Sequence, residues 1–326
     1  MKGLRILCLL LGGVCMLGGT FLQQTEEKIT YKELEKPVYV VKEEEKAPTF
    51  SGTEYIALAG IDYREENPAD NSDTMIIVQL NHDTKEIRMV SVYRDTFLKI
   101  EEDNYFKANA AYNLGGAEGY LSMLNRNLDL SITQYVTVDF IALQKLIDGI
   151  GGLDLTVTAE EAAEINRYNG DTAAICGIEY KTIPPEAGTY HLNGSQVVSY
   201  ARIRSIDNDF VRTSRQRTVL NAVFEKLKTC DLKTLLSLAD QLLPLVTTNI
   251  QNPINYISCI FDYDIVYMEG FPYEKTTGTA NGLSYVFAED LEANVRKLHA
   301  DFGDTNYQPT EELISVCEEI RWMTGH

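Results

Sequence analysis

Five arginines, Arg202, Arg204, Arg212, Arg215 and Arg217, fall within sixteen residues of a 326-residue chain whose formal net charge is −19. Counted against Asp207 and Asp209, the stretch from Asn193 to Leu220 stands at +3. A guanidinium is a planar fork that grips two oxygens at once, so it suits phosphate or carboxylate. The cluster therefore reads as a pocket for an anion. It reads equally well as a surface helix whose arginines are solvated or paired with some of the 48 acidic residues.

Further polar words stand where apolar runs end. Asp62 and Arg64 lie in GIDYR, Asp73 in NSDTM, Arg94 and Asp95 in SVYRDT, and Lys107 and Asn109 in KANAAYNLGG. Binding residues of α/β sheets collect at strand ends. A pair of carboxylates beside several arginines is what a Mg²⁺-assisted (or Mn²⁺-assisted) phosphoryl site needs, because hard oxygens hold the ion while guanidinium groups neutralise phosphate. Each word alone also fits a turn or a local Arg94–Asp95 ion pair.

Other chemistries lack their residues. No G-x-x-x-x-G-K-[ST] loop is present, and IDGIGGLDL lacks the third glycine of a dinucleotide fingerprint, so Gly151 and Gly152 read as a tight helix-to-strand turn. There is no G-x-S-x-G elbow, and the four histidines, His82, His191, His299 and His326, form no helical metal pair. Cys176, Cys230, Cys259 and Cys317 show no zinc spacing; they fit either disulfides or buried thiols. A metal here would be held by carboxylates. The acidic balance, with pI about 4.6, argues against nucleic acid as a partner.

These residues need a scaffold. Runs at YIALAG, TMIIVQL, IRMVSV, YVTVD and LDLTV have strand length and β-branched composition. Helical stretches are expected at Ala117–Asn127, Phe140–Gly149, Ala159–Tyr168, Ser195–Arg202, Thr213–Lys228 and Leu232–Leu243. Their alternation indicates an α/β class, a three-layer αβα arrangement with helices flanking a central mixed sheet. Lys2 and Arg5 precede an uncharged run from Ile6 to Leu22. This reads as a short cytoplasmic segment (1–5) and an N-terminal membrane anchor (6–22), with the rest of the chain exported. Residues 23–53, rich in Glu and Lys, read as a charged extracellular linker. Residues 54–326 form the domain.

The ordered words GIDYR, NSDTM, SVYRDT, KANAAYNLGG, VDFIALQKLIDGIGGLDLTV and GTYHLNGSQVVSYARIRSIDNDFVRTSRQR resemble the LytR-CpsA-Psr family of cell-wall enzymes. The resemblance covers a motif core at 54–228. It implies a phosphotransferase on the outer side of the membrane of a Gram-positive-type envelope. Such an enzyme moves a glycopolymer, such as teichoic acid or capsular polysaccharide, from a polyprenyl-pyrophosphate carrier to peptidoglycan, with Mg²⁺ assisting. It also implies roles by position: Asp62 and Asp73 beside the metal, Arg94, Arg202 and Arg204 as pyrophosphate grips, and Arg212 and Gln216 lining the head-group pocket. Arg64 and Lys107 join the cationic set, and Asp95 is either a base or the group that orients Arg94. Asn71 stands where the family commonly has arginine, and Tyr93 where many members have proline. A non-catalytic binder of polyprenyl phosphates or wall polymers, and a lipid-linked pyrophosphatase, are the alternatives.

Spacing adds one expectation. On a helix Arg202 and Arg204 would diverge by about 200°, whereas an extended YARIR points both to one face. The helix near Ser195 is therefore expected to end before Arg202. The amides opening the next helix are expected to favour an anion beside Arg212 and Gln216, with Arg215 and Arg217 as support.

Overall fold

The computed structural model describes residues 30–41, 52–61, 71–251 and 262–326. The class is α/β, with helices flanking a central mixed sheet. The chain divides into two compact units, Lys32–Val136 with Val266–His326, and Met1–Tyr31 with Thr137–Ile265. The sequence-predicted anchor at 6–22 lies outside the described residues. No helix among the described residues is long and apolar enough to cross a membrane.

In the first unit, β2 (Thr53–Ile61) pairs antiparallel with β3 (Ser72–Asn81), and β3 with β4 (Glu86–Val92). Beyond β4 lies β11 (Asp264–Phe271). The β-branched runs explain these strands, since Ile76, Ile77 and Val78 are all buried. Near the end of β2 the register slips between Gly60 and Ile61. A Cβ on Gly60 would stand 2.9 Å from the Thr74 Cβ, so the close pairing that leads into Asp73 needs glycine.

Against this sheet pack α1 (Ala110–Leu128), α7 (Leu291–Asp301) and α8 (Glu311–Thr324). Tyr120, Leu121 and Leu124 of α1, Leu298 of α7 and Val316 of α8 join Ile77 and Val90 in one buried apolar cluster. Each such aliphatic side chain contributes about 1.5–3 kcal/mol on burial. α1 breaks its helical geometry at Gly116, with φ 62° and ψ −150°, which is why the helical period in sequence starts only at Ala117.

Two hairpins complete this unit, β5 (Phe97–Glu101) with β6 (Asn104–Lys107) and β12 (Lys275–Ala280) with β13 (Leu283–Ala288). The second turns on Asn281 (φ 51°) and Gly282 (φ 78°), the Asn-Gly pair that a two-residue hairpin favours.

Part of the stretch read as a linker is folded. Leu34 and Val38 pack on the core, and the Tyr39 amide donates to Ser122 Oγ at 3.1 Å. The Asn125 side chain donates to the Tyr39 carbonyl at 2.7 Å. The apolar residues interspersed among the charges supply a face that a solvated spacer would lack.

In the second unit, β1 (Thr30–Tyr31) pairs in parallel with β10 (Val246–Thr248). β8 (Leu153–Val157) pairs antiparallel with β9 (Gly188–Leu192), burying Leu153, Leu155 and Val157 in alternation. The helices are α2 (Phe140–Gly149), α3 (Ala159–Cys176), α4 (Gly194–Arg202), α5 (Asp209–Leu227) and α6 (Leu232–Leu242). Each starts on a side-chain cap: Asp139, Thr158, Asn193, Asn208 and Asp231. Thr158 with Glu161, and Asn193 with Gln196, form reciprocal capping boxes. Gly151 and Gly152, with φ 83° and 81°, make the tight turn expected between α2 and β8.

Candidate active site

Three chain segments meet at the start of β3 in the first unit. The Ser72 amide donates to the Asn109 carbonyl at 3.4 Å, and the Asn109 amide to the Arg94 carbonyl at 3.1 Å. The YRDT loop after β4 is held by its own Thr96, whose hydroxyl donates to the Tyr93 carbonyl at 2.7 Å. On its other side, the Val286 amide of β13 donates to the Asp95 carbonyl at 2.9 Å. The backbone that carries Arg94 and Asp95 is thus fixed by hydrogen bonds from β11, β13 and the β6–α1 junction, the first of these being Tyr93 N–H to the Phe271 carbonyl at 2.9 Å.

On that frame four charges alternate. Arg94 Nη1 donates to Asp73 Oδ1 at 2.6 Å, Arg94 Nε lies 3.6 Å from Asp95 Oδ2, and Lys107 Nζ lies 2.9 Å from Asp95 Oδ1. Arg94 and Asp73 side chains keep 18% and 28% of their exposure, so the pair is partly withdrawn from solvent but not sealed. Charges placed this way in a partly dry setting interact more strongly than solvated pairs, and they are positioned before any ligand arrives. The Lys107 ammonium also sits 5.6 Å from the centre of the Tyr285 ring. Asn71 is exposed and accepts from Asn113 Nδ2 at 3.3 Å.

Of the residues read from sequence, Asp73, Arg94, Asp95 and Lys107 are therefore brought together. Asp62 and Arg64 lie outside the described residues. Among the described residues no group of three His, Cys, Asp or Glu side chains could hold a metal by itself. The donors at Asp73 are carboxylate oxygens with no thiolate or imidazole in the row. That chemistry fits a hard divalent cation such as Mg²⁺.

In the second unit α4 is seated tightly. A Cβ on Gly194 would lie 2.2 Å from the Gln144 carbonyl oxygen, and the Gly194 amide donates to Asp148 Oδ1 at 2.6 Å. At the other end of α4, Arg202 donates from Nη1 to Thr172 Oγ1 at 3.0 Å and lies 4.8 Å from the centre of the Phe140 ring. Arg202 is the last helical residue, one later than expected. Ile203, with φ −56° and ψ 128°, leaves the helix, and Arg204 follows in an irregular segment, exposed. The helix runs on through a face that is buried as far as Ala201.

The start of α5 differs from expectation. Asn208 Oδ1 accepts from the Phe210 and Val211 amides at 3.1 Å each, so these two donors are already engaged by a side chain. Arg212 is only 2% exposed, and its Nη2 meets Asp209 Oδ1 at 2.6 Å. Gln216 and Arg217 are half-buried along the same helix. Arg215 is buried between Glu161 and Asp207.

Sequence reasoning did not pick out Thr172, Phe140 or Asp209. Only Asp209 carried a local signal, its i,i+3 spacing from Arg212.

Residues 19–299 match the model of the LytR_cpsA_psr family. The chain belongs to the LytR-CpsA-Psr family. It is 32% identical over 173 residues to "Polyisoprenyl-teichoic acid--peptidoglycan teichoic acid transferase TagV" of Bacillus subtilis, a match over 51% of this chain and 41% of that protein. It is 31% identical over 284 residues to "Biofilm regulatory protein A" of Streptococcus mutans, over 83% of this chain and 63% of that protein. The matches thus span less than two thirds of either relative. The fold is that of the solved "LytR-CPS2A-psr family protein YwtF (TagT) with bound octaprenyl pyrophosphate lipid", with TM-score 0.61 and 20% identity, over 84% of this chain and 100% of that one.

Proposed function

We propose that this protein is a phosphotransferase that moves a glycopolymer from a polyprenyl-pyrophosphate carrier to peptidoglycan. The observation that carries the reading is the Arg94–Asp73 contact of 2.6 Å, partly buried and held by a fixed backbone at the strand ends. A relative of this family is named for teichoic acid transfer to peptidoglycan, and a protein of the same fold is described with octaprenyl pyrophosphate bound.

In the reaction, the oxygen of a peptidoglycan hydroxyl attacks the sugar-linked phosphorus. The bond from that phosphorus to the bridging oxygen breaks, a phosphodiester forms, polyprenyl monophosphate leaves, and the hydroxyl proton is lost to water. Negative charge grows on the leaving phosphate, and prearranged cations lower its cost. Arg94 and Lys107 supply such charge beside Asp73. Arg202, Arg204, Gln216 and Arg64 keep the anion-holding roles that their motif positions imply; Arg212, buried against Asp209, would have to give up that ion pair to join them. Asp95, facing two cations, orients Arg94 in this reading. Asp73 with Asp62 would hold Mg²⁺, which when bound draws electron density from phosphate oxygens. The run at 6–22 would tether the chain to the outer face of the cell membrane.

The test is transfer itself. The full chain in detergent, given a lipid-pyrophosphate-linked teichoic acid, Mg²⁺ and peptidoglycan, is expected to attach polymer covalently to the glycan. Failure of attachment with every wall-polymer donor tried would overturn the reading.

A further inference from the structure

Arg204 is the second residue of a six-residue connection, 203–208, between α4 and α5, and Arg215 holds that connection near both of its ends, at Ile203 and Asp207. Its Nη1 donates to the Ile203 carbonyl at 3.4 Å and to Asp207 Oδ1 at 3.2 Å, and its Nη2 donates to Asp207 Oδ2. Its Nε donates to Glu161 Oε1 at 2.8 Å. Glu161 is itself fixed, because its Oε2 accepts from the Thr158 amide at 3.0 Å in the capping box of α3. One planar cation therefore ties the first turn of α3, the body of α5 and both ends of the segment carrying Arg204. The centre of the segment is pinned separately, with Arg167 Nη2 donating to Ser205 Oγ at 2.6 Å.

Arg215 is poorly placed to grip a ligand itself. Its side chain is 4% exposed and faces two carboxylates, so an incoming anion would have to displace both. Arg204, between the two braced points, is exposed. A lysine could not replace the brace, since a single ammonium has no flat fork to span three acceptors at once.

We infer that Arg215 is a positioning residue: through Asp207 and Ile203 it fixes the segment on which Arg204 meets pyrophosphate. The inference rests on the pyrophosphate-gripping role of Arg204 proposed above. Asp207→Asn keeps the shape of the brace, removes its charge, and leaves Glu161 to hold Arg215 in place.

The experiment is a double-mutant cycle on the full chain in detergent with Mg²⁺. Binding of geranylgeranyl pyrophosphate is measured by calorimetry for wild type, R204A, D207N and R204A/D207N. R204A is expected to weaken binding about tenfold or more, D207N about three- to tenfold, and the double variant no more than R204A alone. A residue that merely supports the fold would not show this loss of effect once Arg204 is gone. Amide exchange over 203–208 is expected to quicken in D207N. If the two effects multiply, or if D207N binds as wild type does, the brace is overturned while the role of Arg204 stands. If R204A binds as wild type does, that role is overturned, and the inference with it.

Discussion

Arg94 and Asp73 face each other across the ends of β4 and β3, with Nη1 and Oδ1 2.6 Å apart. The contact sets the orientation of the guanidinium before a ligand arrives, which is how fixed charge lowers a barrier without reorganisation at the moment of reaction. Arg94→Lys keeps the charge and loses the fork. It is expected to lower kcat/KM for transfer about a hundredfold, by analogy with the loss of one preorganised donor. The thermal midpoint should move by no more than a few degrees. Steady-state kinetics beside a melting curve checks both.

Asp95 stands between two cations, Lys107 at 2.9 Å and Arg94 at 3.6 Å. Asp95→Asn should therefore act by letting Arg94 and Lys107 drift. The expected result is a rise in donor KM of about tenfold with a smaller change in kcat, the pattern of weakened donor binding. A collapse of kcat with KM unchanged would instead make Asp95 the base.

The seat of α4 gives a prediction about stability. Gly194→Ala places a methyl group 2.2 Å from the Gln144 carbonyl oxygen, and backbone cannot step aside cheaply. Overpacking of this kind costs about 1–3 kcal/mol. The melting temperature should fall by several degrees, and donor affinity should fall with it because Arg202 ends the same helix. Differential scanning calorimetry checks the first expectation.

A pH dependence follows from Glu164. The hydrogen bond from Arg167, opposed in part by burial and reinforced by Ser205 and by the Arg167 charge, holds its carboxyl below the ordinary range. A carboxylate with a lowered folded-state pKa adds stability above its unfolded value, near about 4.3, and loses that contribution as pH falls through the folded value. Wild type should be more stable than Glu164→Gln near neutral pH, and the gap should close on titration from about pH 6 to about pH 3. Melting curves of the two proteins across that range provide the check.

The strands were legible because TMIIVQL and IRMVSV are buried and β-branched, and the helices of the second unit because their caps are written in the chain. The Asn281–Gly282 hairpin also carried its signal, yet its first strand gave no reading because threonine and glycine in KTTGTA mask the period. Asp73, Arg94, Asp95 and Lys107 were legible as words at strand ends. That they form one alternating row was not, since the row depends on Asn109, Thr96 and Val286 bringing distant backbone together. Arg212 shows the opposite limit. Its charge was visible in sequence, but its burial against Asp209 depends on how α5 is seated.

Transfer of a phosphoryl-linked polymer from lipid to glycan releases polyprenyl monophosphate, so the leaving group reports on the reaction. With ³²P-labelled polyprenyl-pyrophosphate donor and peptidoglycan, polyprenyl monophosphate should appear in equal amount to polymer bound to the glycan, and neither should form with Arg94→Ala. Release of polyprenyl monophosphate at the same rate without peptidoglycan, with the polymer left free in solution, would make the protein a hydrolase of its donor and not a transferase.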